Sequence, residues 1–324
     1  MLIGGLSYKT KQFFFVLIKL SIVVGAFYFI YQKLTTNEDL DFGEFLRFLR
    51  RNDAFSAKNI IFLIILTIFN WFFEILKWKT LVGSIREISF KNAMEQSLGA
   101  LTASLFTPNR IGEYGAKAIY FERSRRKEIM LLNLISNMMQ MSVTLILGII
   151  GITIMHQKFN LQIDYFRLLK FSLIVIVIAI FTVFGLHQNK FRIKGFSIER
   201  LKEFIRQLSK SIAIKAFVIS FLRYLIFSFQ FYILLDFFGV RVNYYNAMVV
   251  ITSMYLISSI IPSIFIFDVV IKGSVAVYLF SIVGVNAFTT LSIITIMWLL
   301  NFVLPSIFGS FYVLNFNLPK TNDL

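Results

Sequence analysis

Cysteine is absent from the 324 residues, so disulfides, thiolate zinc sites and thiol catalysis are excluded. Charge is scarce as well: 15% of the residues are charged, against about a quarter in an average soluble protein. Histidine occurs only as His156 and His187, each at the end of an apolar run and without a carboxylate or second histidine at ligand spacing, so neither reads as a metal ligand. No Ser-His-Asp set, phosphate-cradling glycine loop or glycine-rich dinucleotide turn occurs, and no cofactor is expected. Acidic side chains number 17 against 33 basic ones. In a soluble protein that imbalance would point to nucleic acid. Here the Lys and Arg residues sit in short connections between apolar runs, which is the positive-inside pattern, and no nucleic-acid partner is expected.

What the chain has in abundance is apolar surface, at 57% hydrophobic residues, more than a soluble core could bury. Apolar runs recur at the length that crosses a hydrocarbon layer about 30 Å thick at 1.5 Å per residue. The expectation is an all-α integral membrane protein forming one polytopic domain over 1–324. Six stretches read as full spans: 13–32, 59–78, 129–154, 169–187, 212–236 and 287–314. The first follows Lys9 and Lys11, is too long for a signal-peptide core and lacks a small-residue cleavage site. It reads as an uncleaved anchor with a cytoplasmic N-terminus.

Two regions have a different plan. Residues 93–121 carry a short apolar limb, a break at Thr107-Pro108-Asn109, and a limb with Arg110, Glu113 and Lys117. Residues 246–284 repeat this with a break at Ile261-Pro262-Ser263 and a limb with Asp268 and Lys272. Limbs of about 14 residues reach only about 21 Å, so both regions read as re-entrant or broken helical hairpins. The order span, span, hairpin, span then occurs twice, with Pro108 and Pro262 154 positions apart. The first and fourth spans, and the second and fifth, are offset by nearly the same amount. Because three spans separate equivalent elements, the second copy would sit upside down. The expectation is an inverted-topology repeat of 1–160 and 161–324, the plan of many secondary transporters.

Under that plan the cytoplasmic segments 1–12, 79–92, 122–128, 188–211 and 315–324 hold most of the connecting Lys and Arg, and both termini are expected in the cytoplasm. The segment 33–58 is the exception. Its Arg47, Arg50, Arg51 and Lys58 are offset by five acids, and its apolar residues suggest a helix lying in the interface. A second amphipathic stretch, 194–212, sets Ile198, Leu201, Ile205, Leu208 and Ile212 against Lys202, Arg206 and Lys210. It suits the headgroup layer of the inner leaflet, as a lipid contact or simply as a topology determinant.

The charged hairpin residues are the candidate site. An ionisable group at the bilayer centre costs about 2.5–3.5 kcal/mol, so Arg110, Glu113, Lys117, Asp268 and Lys272 must pair or line a polar cavity. Glu113 and Lys117 are four apart, as are Asp268 and Lys272, which puts each acid and base on one face of a helical turn. Pro108 and Pro262 stand where proline can start a turn. The functional expectation is a cavity binding a charged or zwitterionic headgroup, with Arg110 gripping a phosphate and Glu113 or Asp268 attracting an amine or carrying a proton. The alternative is that these charges only lock the hairpins. Glu74, Lys77 and Lys79 in the second span, with Arg223 and Gln230 in the fifth, rank lower, and Lys77 and Lys79 read as snorkelling to the interface.

At these residues the chain resembles a known family. The stretch Phe106-Thr-Pro-Asn-Arg-Ile-Gly-Glu-Tyr-Gly115, followed by the apolar run 129–154, is similar to the lysylphosphatidylglycerol synthase transmembrane region. The likeness extends through Ile261-Pro-Ser and Asp268-Val-Val-Ile-Lys-Gly273, where the glycines usual after the proline are missing. The resemblance implies a lipid flippase-like domain in a bacterial-type cytoplasmic (inner) membrane, with a membrane phospholipid as ligand and a lipid-synthesis enzyme as candidate partner. In that family aminoacyl transfer belongs to a separate soluble domain, and this sequence ends about ten residues after its last span, so the chain is not expected to be an enzyme. The expected functions, in order, are a transporter or flippase of a phospholipid-type headgroup, a non-transporting lipid-binding or scaffold subunit, and last a membrane enzyme on a lipid-linked substrate.

Overall fold

The computed structural model describes residues 8–35, 43, 45, 47, 56–105, 107, 110–159, 198–260 and 267–317. Among them every regular element is helical. The helices are α1 (Tyr8–Thr35), α2 (Ala57–Val82), α3 (Phe90–Ser104), α4 (Gly112–Ala118), α5 (Arg126–Phe159), α6 (Ile198–Gln207), α7 (Lys210–Phe237), α8 (Tyr244–Ile260), α9 (Phe267–Ser281) and α10 (Ala287–Asn315). Four of them, α2, α5, α7 and α10, are long and apolar enough to cross a membrane. The first expected span falls within α1, whose described apolar stretch is Val16–Gly25. The fourth, 169–187, and most of the interfacial segment 33–58 lie outside the described residues.

Helix starts follow the sequence. Ser56, Ser89 and Asn286 each accept a hydrogen bond from the backbone N–H three residues on, capping α2, α3 and α10. The amphipathic stretch 194–212 is divided: α6 ends at Gln207, and after Leu208 and Ser209 the chain enters α7 at Lys210. The fifth span therefore begins two residues earlier than the hydropathy suggests.

The expected break between limbs is present in the first hairpin. α3 ends at Ser104, α4 begins at Gly112, and the two limbs pack on each other. α4 is a seven-residue helix. In the second hairpin, α8 and α9 are the two limbs and also pack together, while the turn with Pro262 lies outside the described residues.

The central contacts are α2 against α7, α5 against α8, and the second half of α10 against α3. Glycine makes two of them close. A Cβ on Gly148 or Gly151 of α5 would meet Leu256 or Thr252 of α8, and one on Gly309 of α10 would meet Thr102 and the Leu98 carbonyl of α3. The largest apolar cluster joins α7, α8, α9 and α10, with Phe231 and Phe280 stacked at 5.2 Å between ring centres. Outward faces stay apolar instead of polar: Ile61, Ile68 and Phe69 on α2, Ile146, Ile149 and Ile150 on α5, and Phe308 and Phe311 on α10 are all exposed. Side chains of that kind on long helices fit a hydrocarbon solvent.

Candidate functional site

Two short strings of charge are buried inside this apolar frame. On α2, Glu74 and Lys77 are one turn apart, and Lys77 Nζ lies 2.8 Å from Glu74 Oε2. The same oxygen lies 2.8 Å from Arg223 Nη1, brought across by the α2–α7 packing. These are contacts of charge and not aligned hydrogen bonds. Lys77 is 1% exposed, so it does not snorkel as its position near the end of an apolar run suggests. The buried carboxylate of Glu74 holds it inside, because an ammonium taken out of water keeps its charge only beside a counter-ion.

The second string comes from the first hairpin. Arg110 has φ 56°, the one positive φ outside glycine among the described residues, a conformation costly for a residue with a Cβ. The turn around it is tight: Gly112 N–H donates to Thr107 Oγ1 at 3.0 Å, and a Cβ on Gly112 would collide with Thr107. This geometry turns the Arg110 guanidinium back onto the following helical turn, where Nη2 donates to Glu113 Oε2 at 2.8 Å. The other carboxylate oxygen of Glu113 receives Lys117 Nζ at 2.7 Å, so the four-residue spacing is realised as a buried ion pair. Lys117 also donates to Asn133 Oδ1 of α5 at 2.8 Å and lies 4.2 Å from the centre of the Trp78 ring of α2.

The two strings have the same composition. Each has one carboxylate between one lysine and one arginine: Lys77–Glu74–Arg223 and Lys117–Glu113–Arg110. In both the lysine is the buried end and the arginine the more accessible one, with side chains 22% exposed at Arg223 and 33% at Arg110.

A chain of amides links the spans beside them. Arg223 Nε donates to Asn70 Oδ1 at 3.1 Å and Nη1 to Gln140 Oε1 at 3.3 Å. Asn70 donates to Asn301 Oδ1 at 2.7 Å, Asn301 to Gln230 Oε1 at 2.9 Å, and Gln230 to Thr67 Oγ1 at 2.9 Å. Asn301 stands in a π-helical turn, Leu299–Val303, inside α10. Pro305 has no N–H to offer the carbonyl four residues back, which is that of Asn301. The freed carbonyl accepts from Trp71 Nε1 at 3.0 Å.

Both arginines face a cavity of about 230 Å³. Asn70, Gln140 and Asn301 give it amides, Thr144 and Ser259 give hydroxyls, and Trp71, Tyr224, Phe227, Tyr255 and Phe302 give aromatic walls. Arg110 also lies 5.8 Å from the centre of the Phe302 ring.

Of the residues proposed from sequence, Arg110 reaches the cavity, while Glu113 and Lys117 stand behind it as its charge partners. Asp268 and Lys272 lie on the first turns of α9, with side chains outside the described residues, as Pro108 and Pro262 also are. Arg223 and Glu74, ranked lower from sequence, form the other half of the site. Asn70, Asn133, Gln140 and Asn301 were missed. Each is an amide within an apolar run, and that was the available signal, since an amide facing lipid would lose its hydrogen bonds.

Comparison with known proteins adds the family. The model of the lysylphosphatidylglycerol synthase TM region matches residues 16–309, nearly the whole chain. No curated protein and no solved structure matches.

Proposed function

The chain belongs to the lysylphosphatidylglycerol synthase TM region family, and from that premise we propose that it binds a phospholipid-type headgroup in the cavity between Arg110 and Arg223 and moves it between leaflets. The observation that carries this is the meeting of two Arg–Glu–Lys strings at one cavity, lined by aromatic rings and a few amides and hydroxyls, in a helical membrane protein. Ionisable groups within membrane-spanning segments are costly and mark ligand or transport paths. The cavity volume, about 230 Å³, is below the roughly 300–1,000 Å³ of pockets that enclose a whole drug-sized ligand. It suits a headgroup whose acyl chains remain in the bilayer.

Alternating access needs two halves that rock about the site. The pairing of helices supports an inverted repeat of 1–160 and 161–324. The third span of the first half, α5, packs on the first limb of the second hairpin, α8. The third span of the second half, α10, packs on the first limb of the first hairpin, α3. The second spans, α2 and α7, pack on each other. Exchanging the halves turns the first of these contacts into the second and the third into itself. With the basic connections placed inside, the termini are cytoplasmic, and the membrane is a cytoplasmic (inner) one.

Reconstituted vesicles with a fluorescent phospholipid in both leaflets test it, by the fraction a membrane-impermeant quencher reaches. The protein is expected to speed the exposure of inner-leaflet lipid, and Glu113→Gln is expected to abolish that while inserting normally. Lipid bound with no acceleration would leave the scaffold role. Unchanged flux in Glu113→Gln would remove the charged strings from the mechanism.

A further inference from the structure

We infer that the cavity selects lipids whose headgroup is a phosphate ester of net negative charge bearing hydroxyls, and disfavours zwitterionic and, most of all, aminoacylated cationic headgroups. This rests on the cavity being a lipid-headgroup site. Charge carries the first half. Each buried string holds two cations and one carboxylate, so Lys77, Arg223, Lys117 and Arg110 outnumber Glu74 and Glu113 by four to two. In the second hairpin's sequence Asp268 and Lys272 carry one charge of each sign, a pair that sums to zero.

Placement makes the excess effective. Of these six residues only the two arginines line the cavity, and no acidic side chain does among the described residues. Both carboxylates stand behind an arginine, each between two cations within 2.8 Å. A headgroup amine entering here would meet guanidinium first and would have to take a carboxylate from two cations already holding it. A phosphate meets planar donors suited to two-pronged contact, in surroundings where apolar walls strengthen the attraction.

The uncommitted polar atoms carry the second half. Arg110 Nε and Tyr255 Oη are buried with no hydrogen-bond partner among the described residues, and both residues line the cavity. The amides of Asn70, Gln140 and Asn301 and the Thr144 and Ser259 hydroxyls on its wall already donate within the protein, and their oxygens keep lone pairs that accept beside those two donors. Mixed donors and acceptors of this kind match hydroxyl groups, which both give and accept; an ammonium only gives.

The test is a binding series on the purified full-length protein in non-ionic detergent, by calorimetry. The probes are dioctanoyl phosphatidylglycerol, dioctanoyl phosphatidylcholine and dioctanoyl lysylphosphatidylglycerol, with glycerophosphoglycerol and inorganic phosphate as soluble controls. The anionic lipid is expected to bind at least about tenfold tighter than phosphatidylcholine, and the cationic lipid weakest. In Arg223→Gln the tenfold preference is expected to shrink towards one; should that variant fail to fold, the ranking on the unaltered protein decides alone. Equal binding of the three lipids, or tightest binding of the lysyl lipid, overturns the selectivity and leaves headgroup binding standing. Binding of none of the three overturns headgroup binding itself. Soluble phosphates binding as tightly as the anionic lipid overturn the lipid as the source of the ligand.

Discussion

Arg223 of α7 and Glu74 of α2 meet at 2.8 Å, although nothing in their own stretches of sequence pairs them. The contact gives Glu74 a second cation besides Lys77 and keeps a guanidinium at the cavity wall. Removing the carboxylate by Glu74→Ala leaves a lysine that is 1% exposed without a counter-ion. Breaking a buried pair in this way costs about 3–5 kcal/mol. A markedly lower midpoint of thermal unfolding in detergent is expected. A shift of a degree or two would mean that Lys77 reaches water or another partner.

Arg110 separates stability from function. Its φ of 56° is a conformation glycine adopts freely and other residues pay about 1–3 kcal/mol to hold. Arg110→Gly should therefore fold with unchanged or raised stability and lose headgroup binding, with Glu113 still paired to Lys117. Retained binding in that variant would show that Arg223 suffices.

Trp71 and Pro305 should be coupled. Trp71→Phe removes the donor to the Asn301 carbonyl and is expected to cost about 1 kcal/mol. Adding Pro305→Ala supplies a backbone N–H four residues on, and should recover part of that loss. A double-mutant cycle of unfolding free energies measures it, and strictly additive effects would dissociate the proline from the carbonyl.

Two glycines should respond in opposite ways to alanine. At Gly309 a Cβ would enter the space of Leu98 and Thr102, so Gly309→Ala should push α10 off α3 and cost about 1–3 kcal/mol. At Gly115 nothing lies within 4 Å of an added Cβ. Gly115→Ala should be neutral, or stabilising by up to about 1 kcal/mol through helix propensity. Thermal unfolding of the two variants side by side is the measurement.

The sequence by itself determined the solvent and the secondary structure. Runs such as 59–78 and 129–154 must be helices in lipid because a backbone in hydrocarbon has to satisfy its own hydrogen bonds, and α2 and α5 are those runs extended by a few residues. It also determined the pair Glu113–Lys117, since residues four apart on a helix share a face whatever surrounds them. It could not place Lys77, whose burial depends on Arg223 and Glu74 meeting between two spans. Nor could it join Asn70 to Asn301, or Arg110 to Arg223 across one cavity. Those relations depend on which helix faces pack, and apolar faces of similar composition carry little record of their partners. Tertiary structure alone brought the two charged strings to one place, and with them the excess of positive charge from which the site's chemistry follows.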